Sequence, residues 1–393
     1  MSELTVAQGT VADGFEPVRA AFEENFRVRH DVGAAFSAYV GGRKVVDIWG
    51  GDAHPGRPWS EETLVLAFSV AKGLTAFVMQ VLATRGLLDI EAPVAQYWPE
   101  FAENGKSEVT VRHVLTHTAG VPLVPDYWSW ISLDKPEAYR DLALITAKLE
   151  EAPLQWEPGT DFAYHSTTYG WILGEIVRRI TGKTLGAFLQ DEVAKPLGLE
   201  MHIGTPETVH HRVATLIPDP AYDSDMFYEH LSPDLPTGQT AFLGRERRFG
   251  SAVLHTYNNP LMWLAESPAA NGIMDARSLA RLYALLANGG ELDGVRLVPA
   301  ESIEEWSRLR VDQKDRYDGR DFRIGLGYIR SSSWYAMGPT DATFGDPGMG
   351  GAVGWADPER NLSFAFIPNR MVFSPGTTDP RVAALSDAIY GCL

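Results

Sequence analysis

A single cysteine, Cys392, stands next to the last of the 393 residues, so the chain cannot close an internal disulfide. A thiol that near a chain end is also a poor candidate nucleophile. Lysine is scarce: only eight of the 34 basic residues are lysines. Acidic residues outnumber basic ones to a formal net charge of −17, which argues against nucleic acid or an anionic membrane surface as a partner. The apolar stretch Leu74–Ala83 is far too short to cross a bilayer. Met1 to Glu16 has neither the basic stretch nor the apolar core of a signal peptide. The expectation is therefore a cytoplasmic protein with no membrane partner. There is no G-x-S-x-G nucleophile elbow, dinucleotide fingerprint or P-loop, and no internal repeat or low-complexity tract.

What remains is ordinary for a soluble globular chain: 45% hydrophobic and 22% charged residues, long enough for one large domain or two lobes. Phe15, Val18, Ala21, Phe22 and Phe26 fall on one face of a helix over Gly14–Arg29. Two strand-like runs, Ala34–Val40 and Lys44–Trp49, are joined by Gly41-Gly42-Arg43 as in a hairpin. Helical patterns follow at Val109–Thr116, Leu142–Glu150, Gly170–Thr181, Leu185–Val193 and Ala276–Ala287, with a long loop-like segment, Thr205–Glu266. Strands return at Gly325–Arg330, Gly351–Ala356 and Leu362–Ile367, before a last helix, Pro380–Ile389. Strands at both ends around a helical middle predict an α/β chain of the α+β type. One antiparallel sheet, built from both termini and flanked by helices, would lie beside an all-helical region. The expected division is 1–75 together with 302–393 as the α/β domain, and 76–301 as the mainly helical region.

Ser69-Val70-Ala71-Lys72 opens the helical run that Gly86 closes. Positions i and i+3 share a helix face, so the Lys72 amine can fold back onto the Ser69 hydroxyl. A serine hydroxyl is a poor nucleophile until a base takes its proton, and a partly desolvated lysine can be that base. The helix start adds unpaired N–H groups suited to a developing oxyanion. A second constellation, Tyr164-His165-Ser166, follows the turn Glu157–Thr160. A phenol between nucleophile and leaving group can relay a proton if a nearby ammonium lowers its pKa. A third, Phe344-Gly345-Asp346-Pro347-Gly348-Met349-Gly350-Gly351, leads into a strand. Its glycines, Gly348 among them, would let a substrate lie against the strand edge. Pro347 has no N–H to give, so Met349 is the donor to expect there.

His113 and His117 stand at i, i+4, a zinc spacing, but no acidic residue or third histidine lies close in sequence, and no metal is expected. Tyr127, Trp128 and Trp130 follow a proline turn and read as a pocket wall.

In this order and spacing, the three motifs resemble those of the class C β-lactamase superfamily, closest to the family VIII carboxylesterases. Leu115-Thr116-His117-Thr118-Ala119-Gly120, Trp156-Glu157-Pro158-Gly159-Thr160 and Pro268-Ala269-Ala270-Asn271-Gly272 extend the resemblance over nearly the whole chain. The resemblance implies a β-lactamase/penicillin-binding-protein-like fold with the site in a cleft between sheet and helical region. It implies Ser69 as the acylated nucleophile, Lys72 as its base, and Tyr164 as a relay to the leaving alkoxide and from the attacking water. The N–H groups of Ser69 and Met349 would form the oxyanion hole, with Ser166 beside the acyl group. Such enzymes need no metal or organic cofactor. One departure stands out: Asp346 occupies a position where these proteins commonly carry His, or Lys in true lactamases. In the substrate site it would repel a carboxylate and favour neutral or cationic acyl donors. The expected function is a serine carboxylesterase for small neutral esters. Amide-directed hydrolysis (a β-lactamase, D-amino-acid peptidase or oligoamide hydrolase), acyl transfer, and a non-catalytic scaffold are the alternatives.

Overall fold

The computed structural model describes residues 6–125, 136–219, 250–372, 374 and 377–393. Among the described residues a ten-stranded sheet is the largest element. Its strands run, edge to edge, Gln8–Val11, Arg43–His54, Gly33–Val40, Leu362–Pro368, Val353–Asp357, Phe344–Pro347, Ile329–Arg330, Asp321–Ile324 and Val311–Lys314. The tenth, Arg57–Pro58, pairs with the end of Arg43–His54. Every pairing along the path is antiparallel. The strands before residue 60 meet those after 310 where Leu362–Pro368 pairs with Gly33–Val40, as the sequence predicts.

Strand alternation sorts side chains onto two faces. Phe36, Val46, Ile48, Val353, Trp355, Phe364 and Phe366 share one core with Val18 and Phe22 of helix Glu16–Val28 and with Val382, Leu385 and Ile389 of helix Pro380–Tyr390. Burying a side chain of this kind contributes about 1.5–3 kcal/mol. Small residues occupy the other face, and helix Ala276–Ala287 lies close against them. Ser363 Oγ donates to Ala280 O at 2.8 Å, and a Cβ at Gly354 would sit 2.7–2.8 Å from Tyr283 and Leu279. This helix lies inside 76–301, the range expected to form the helical region, yet it packs on the sheet.

Helix Ala71–Thr84 is buried from Ala71 through Leu82, so it runs through the core rather than over it. It packs against helix Thr168–Thr181 on one side and reaches the Phe344–Pro347 strand on another. Three local expectations change. Gly325–Arg330 is not one strand, because Gly327 takes φ +85° and Gly325 N–H donates to Tyr328 O at 2.9 Å, closing a turn between two strands. Phe344–Pro347, expected only to lead into a strand, is itself one. Among its described residues the segment Thr205–Glu266 contains a 3-10 turn, Glu207–Arg212, and the α-helices Gly250–Tyr257 and Pro260–Trp263. Among the described residues no helix is long and apolar enough to cross a membrane.

Candidate active site

Ser69 sits on a one-turn 3-10 segment, Phe68–Val70, that feeds directly into helix Ala71–Thr84. Phe68 adopts φ +48°, left-handed backbone that costs an ordinary residue about 1–3 kcal/mol. Burial sustains it: the Phe68 ring is 1% exposed and lies 4.9 Å from the Tyr257 ring, centroid to centroid. The turn leaves Ser69 partly exposed between buried neighbours.

Lys72, one helical turn on, is itself buried. Its Nζ donates to Ser69 Oγ at 3.3 Å, Ser166 O at 2.9 Å and Ala269 O at 2.8 Å. All three acceptors are uncharged. Loss of water therefore dominates, pulling the amine down to about 7, while the charge of Asp346 pulls the other way. The Ala269 carbonyl is aimed by Asn271, whose side chain donates to Met262 O and Ala265 O and accepts from Ser267 N–H. Gly170 lets helix Thr168–Thr181 approach that turn, since a Cβ there would meet Ala269 N at 2.3 Å.

Tyr164 also borders Ser69, whose hydroxyl favours the ionised form of its phenol. The ring is stacked between His117, 4.8 Å away at 28°, and Phe322, 5.3 Å away at 16°. Asp315 Oδ2 accepts the Tyr164 N–H at 2.7 Å, and Lys72 Nζ lies 4.6 Å from the ring centroid. Burial holds the phenol above its ordinary pKa, helped by Asp346 and opposed by the Ser69 hydrogen bond and Arg320. The lowered phenol pKa that an adjacent ammonium would give is not what this environment produces. Tyr164 stays protonated at neutral pH and is poised as a donor, with the free base falling to Lys72.

The third motif borders the same turn. A Cβ at Gly348 would lie 2.1 Å from Ala67 O, so the backbones of the strand end and the Ser69 turn are in direct contact. Gly348 and Met349 are partly exposed there, as are Ser69, Tyr164 and Ser166. The loop is anchored from behind by Arg381, whose Nη2 donates to Gly350 O at 2.6 Å. Asp346 is where expectation fails. It is 1% exposed, with Tyr283 donating to its Oδ2 at 3.4 Å. A Cβ at Gly73 would sit 2.5 Å from the same oxygen. On the strand Asp346 pairs with Gly354, on the face covered by helix Ala276–Ala287. The carboxylate is thus turned beneath the Ser69 helix and has no surface to offer a substrate.

The two histidines at zinc spacing have separate partners. His113 Nδ1 accepts the Thr110 N–H in a capping box, and His117 Nδ1 accepts the His165 N–H at 2.9 Å. His117 thus supports Tyr164, a role that its spacing to His113 did not suggest. Asp315, Phe322 and Arg381 carry no local sequence signal for their parts in the site; the Pro268–Gly272 motif did mark the turn that holds Ala269. Tyr127, Trp128 and Trp130 lie outside the described residues.

Residues 19–388 match the Beta-lactamase family. Esterase/beta-lactamase LipL of Mycobacterium tuberculosis is 34% identical over 380 residues, covering 94% of this chain and 85% of that protein. A family VIII carboxylesterase of known structure superposes with a TM-score of 0.84 at 36% identity, over 98% of this chain and all of that one. A penicillin-binding protein homolog from Caulobacter crescentus superposes at 0.86 with 33% identity and the same coverage. Three motifs meeting at one serine, on a matching fold along nearly the whole chain, leave a single conclusion: the chain belongs to the beta-lactamase family.

Proposed function

We propose that the protein is a serine carboxylesterase acting on small neutral esters through an acyl-enzyme on Ser69. One observation carries the reading: the Lys72 amine is buried, 3.3 Å from Ser69 Oγ, and is otherwise held by the carbonyl oxygens of Ser166 and Ala269. An amine so placed is largely neutral above pH 7 and can take the hydroxyl proton as Ser69 attacks the ester carbonyl. The N–H groups of Ser69 and Met349 would receive the charge that develops on the carbonyl oxygen. Tyr164 gives its proton to the departing alkoxide and is recharged from Lys72. Water then enters along the reverse path, delivering its proton through the same pair and freeing Ser69 as the acid leaves. Ser166 and Gly348 border the acyl group. The scheme uses no metal or organic cofactor. Neutral substrates are favoured because the third motif places no cation in the cleft. The esterase names of LipL and the family VIII structure support this reading. The beta-lactamase half of the LipL name and a putative D-alanyl-D-alanine carboxypeptidase relative keep amide cleavage as the second reading.

Intact-mass spectrometry after exposure to a fluorophosphonate tests the nucleophile. One adduct on the wild type, absent from Ser69→Ala, is the expected result; an adduct retained by the variant would place the nucleophile elsewhere. A panel of short-chain p-nitrophenyl esters against nitrocefin and D-alanyl-p-nitroanilide then separates ester from amide chemistry. The pH profile tests the base. Only the neutral amine can accept the proton, so kcat/KM should fall as pH drops through about 7. A rate that stays level down to pH 5 would remove Lys72 from that role.

A further inference from the structure

Beneath the Ser69 helix, on the side away from the cleft, lies a closed group of polar side chains that the mechanism above does not use. Asp346 is at its centre. Tyr283 of helix Ala276–Ala287 donates to Asp346 Oδ2 at 3.4 Å. Tyr169 of helix Thr168–Thr181 donates to Lys72 O at 3.3 Å, and Tyr328 donates to Gln80 Oε1 at 2.9 Å. All three phenols and Asp346 are 1% exposed or less. Room for the carboxylate is made by Gly73, the residue after Lys72. A Cβ there would fall 2.5 Å from Asp346 Oδ2 and 2.6 Å from the Tyr283 hydroxyl. Any side chain at position 73 would push the carboxylate away from the helix that carries the amine.

We propose that Asp346 is the buried counter-charge of Lys72, a positioning residue that sets the strength of the base without touching substrate. The inference rests on Lys72 being the base of the esterase reaction. Burial alone would leave the amine a weak base, and its hydrogen-bond acceptors are all neutral oxygens. Burial pushes the Asp346 carboxyl well above the usual carboxylate range, while the Lys72 charge and the Tyr283 hydrogen bond draw it back. In its ionised form the carboxylate works against the loss on Lys72 and keeps the amine near neutrality, where a general base is most effective. Among the described residues, Asp346 is the anion that acts on Lys72. Tyr164, Tyr169, Tyr283 and Tyr328 are phenols held protonated by burial. His117 and His165 are held neutral by burial, and each accepts a backbone N–H on a ring nitrogen. Beyond Tyr164 lie Arg320, which acts on the phenol and is paired with Asp318, and Asp315, which accepts the Tyr164 N–H. Asp346 and Lys72 are coupled, so the acidic limb of the wild-type profile belongs to the pair.

Asp346→Asn keeps the shape and removes the charge. Two changes of opposite sense are expected. The acidic limb of kcat/KM should move toward lower pH by about one unit, and the plateau above it should fall several-fold as the base weakens. At pH 5.5 the variant should therefore be the faster enzyme, an outcome that a merely loosened core cannot produce. Tyr283→Phe withdraws the hydrogen bond that favours the carboxylate anion, so it should move the limb the same way by a smaller amount. It serves as the second variant if Asp346→Asn does not fold. Lys72 can also be titrated directly by NMR of protein carrying 13Cε-lysine, its signal identified by loss in Lys72→Met. A midpoint lowered in the Asp346 and Tyr283 variants supports the proposal whatever substrate the enzyme prefers. Unchanged midpoints in both overturn it. A wild type that titrates as described but hydrolyses no ester would instead overturn the esterase reading and leave the counter-charge standing.

Discussion

Lys72→Met is expected to lower kcat/KM by at least about 10³-fold while leaving the protein folded. The variant keeps an apolar stem in a buried slot and removes the amine that donates to Ser69. Residual turnover would come from the oxyanion donors and substrate binding alone. Stability supplies an independent readout with a defined sign. The amine titrates near 7 when folded and near 10.5 when exposed, so between those values the unfolded chain binds more protons than the folded one. Wild-type stability should therefore gain from this group as pH rises from about 7 to 10, by up to about 1.4 kcal/mol per pH unit. Lys72→Met should lack that contribution. Urea unfolding midpoints at pH 7 and 9, compared between the two proteins, measure it. Against it, the variant leaves Ser166 O and Ala269 O without their donor, at about 1–3 kcal/mol each. The difference in pH slope, rather than stability at one pH, is the quantity to compare. Equal slopes would mean that the amine is not desolvated in the folded state.

Arg381→Met should produce the largest loss of stability, about 3–5 kcal/mol at neutral pH. The guanidinium is 1% exposed and lies between two buried carboxylates, with Nη1 2.5 Å from Asp31 Oδ1 and Nη2 2.6 Å from Asp379 Oδ2. It also donates to Gly350 O and Arg370 O, and so joins helix Pro380–Tyr390 to the loop beside Ser69. Methionine fills much of the volume but removes the guanidinium paired with both carboxylates. Burial already raises the pKa of Asp31, and Arg381 opposes that rise. Without the arginine, Asp31 should bind a proton more readily when folded than when unfolded, so the deficit should shrink as pH falls from 8 toward 5. Denaturant titrations at those two pH values check the size and the trend. A deficit under 1 kcal/mol, or one that grows toward acid, would contradict the arrangement. Catalysis should suffer beyond the unfolded fraction, because the Gly350 carbonyl loses its anchor and the Met349 N–H with it.

Sequence pattern determined the secondary structure wherever a single physical rule was at work. Helix Ala276–Ala287 and the joining of terminal strands into one sheet follow from apolar periodicity, which the core must satisfy. The pairing of Ser69 with Lys72 follows from helix geometry, since three residues return a side chain to the same face. The meeting of Tyr164 with the same serine came from the resemblance of three ordered motifs, because no local rule spans the intervening residues. Tertiary structure decided the rest. Phe344–Pro347 is a strand because neighbours on both sides supply ladder partners, which outweighs its turn-like composition. The direction of Asp346 depended on Gly73 and Tyr283, residues far apart in the chain that open one space under the helix. The stacking of Tyr164 between His117 and Phe322, and the grip of Arg381 on Gly350, likewise join segments no local pattern relates. Residue types and spacing name the groups able to react. Burial and counter-charge, which set the protonation of Lys72, Tyr164 and Asp346, exist only once distant segments have packed.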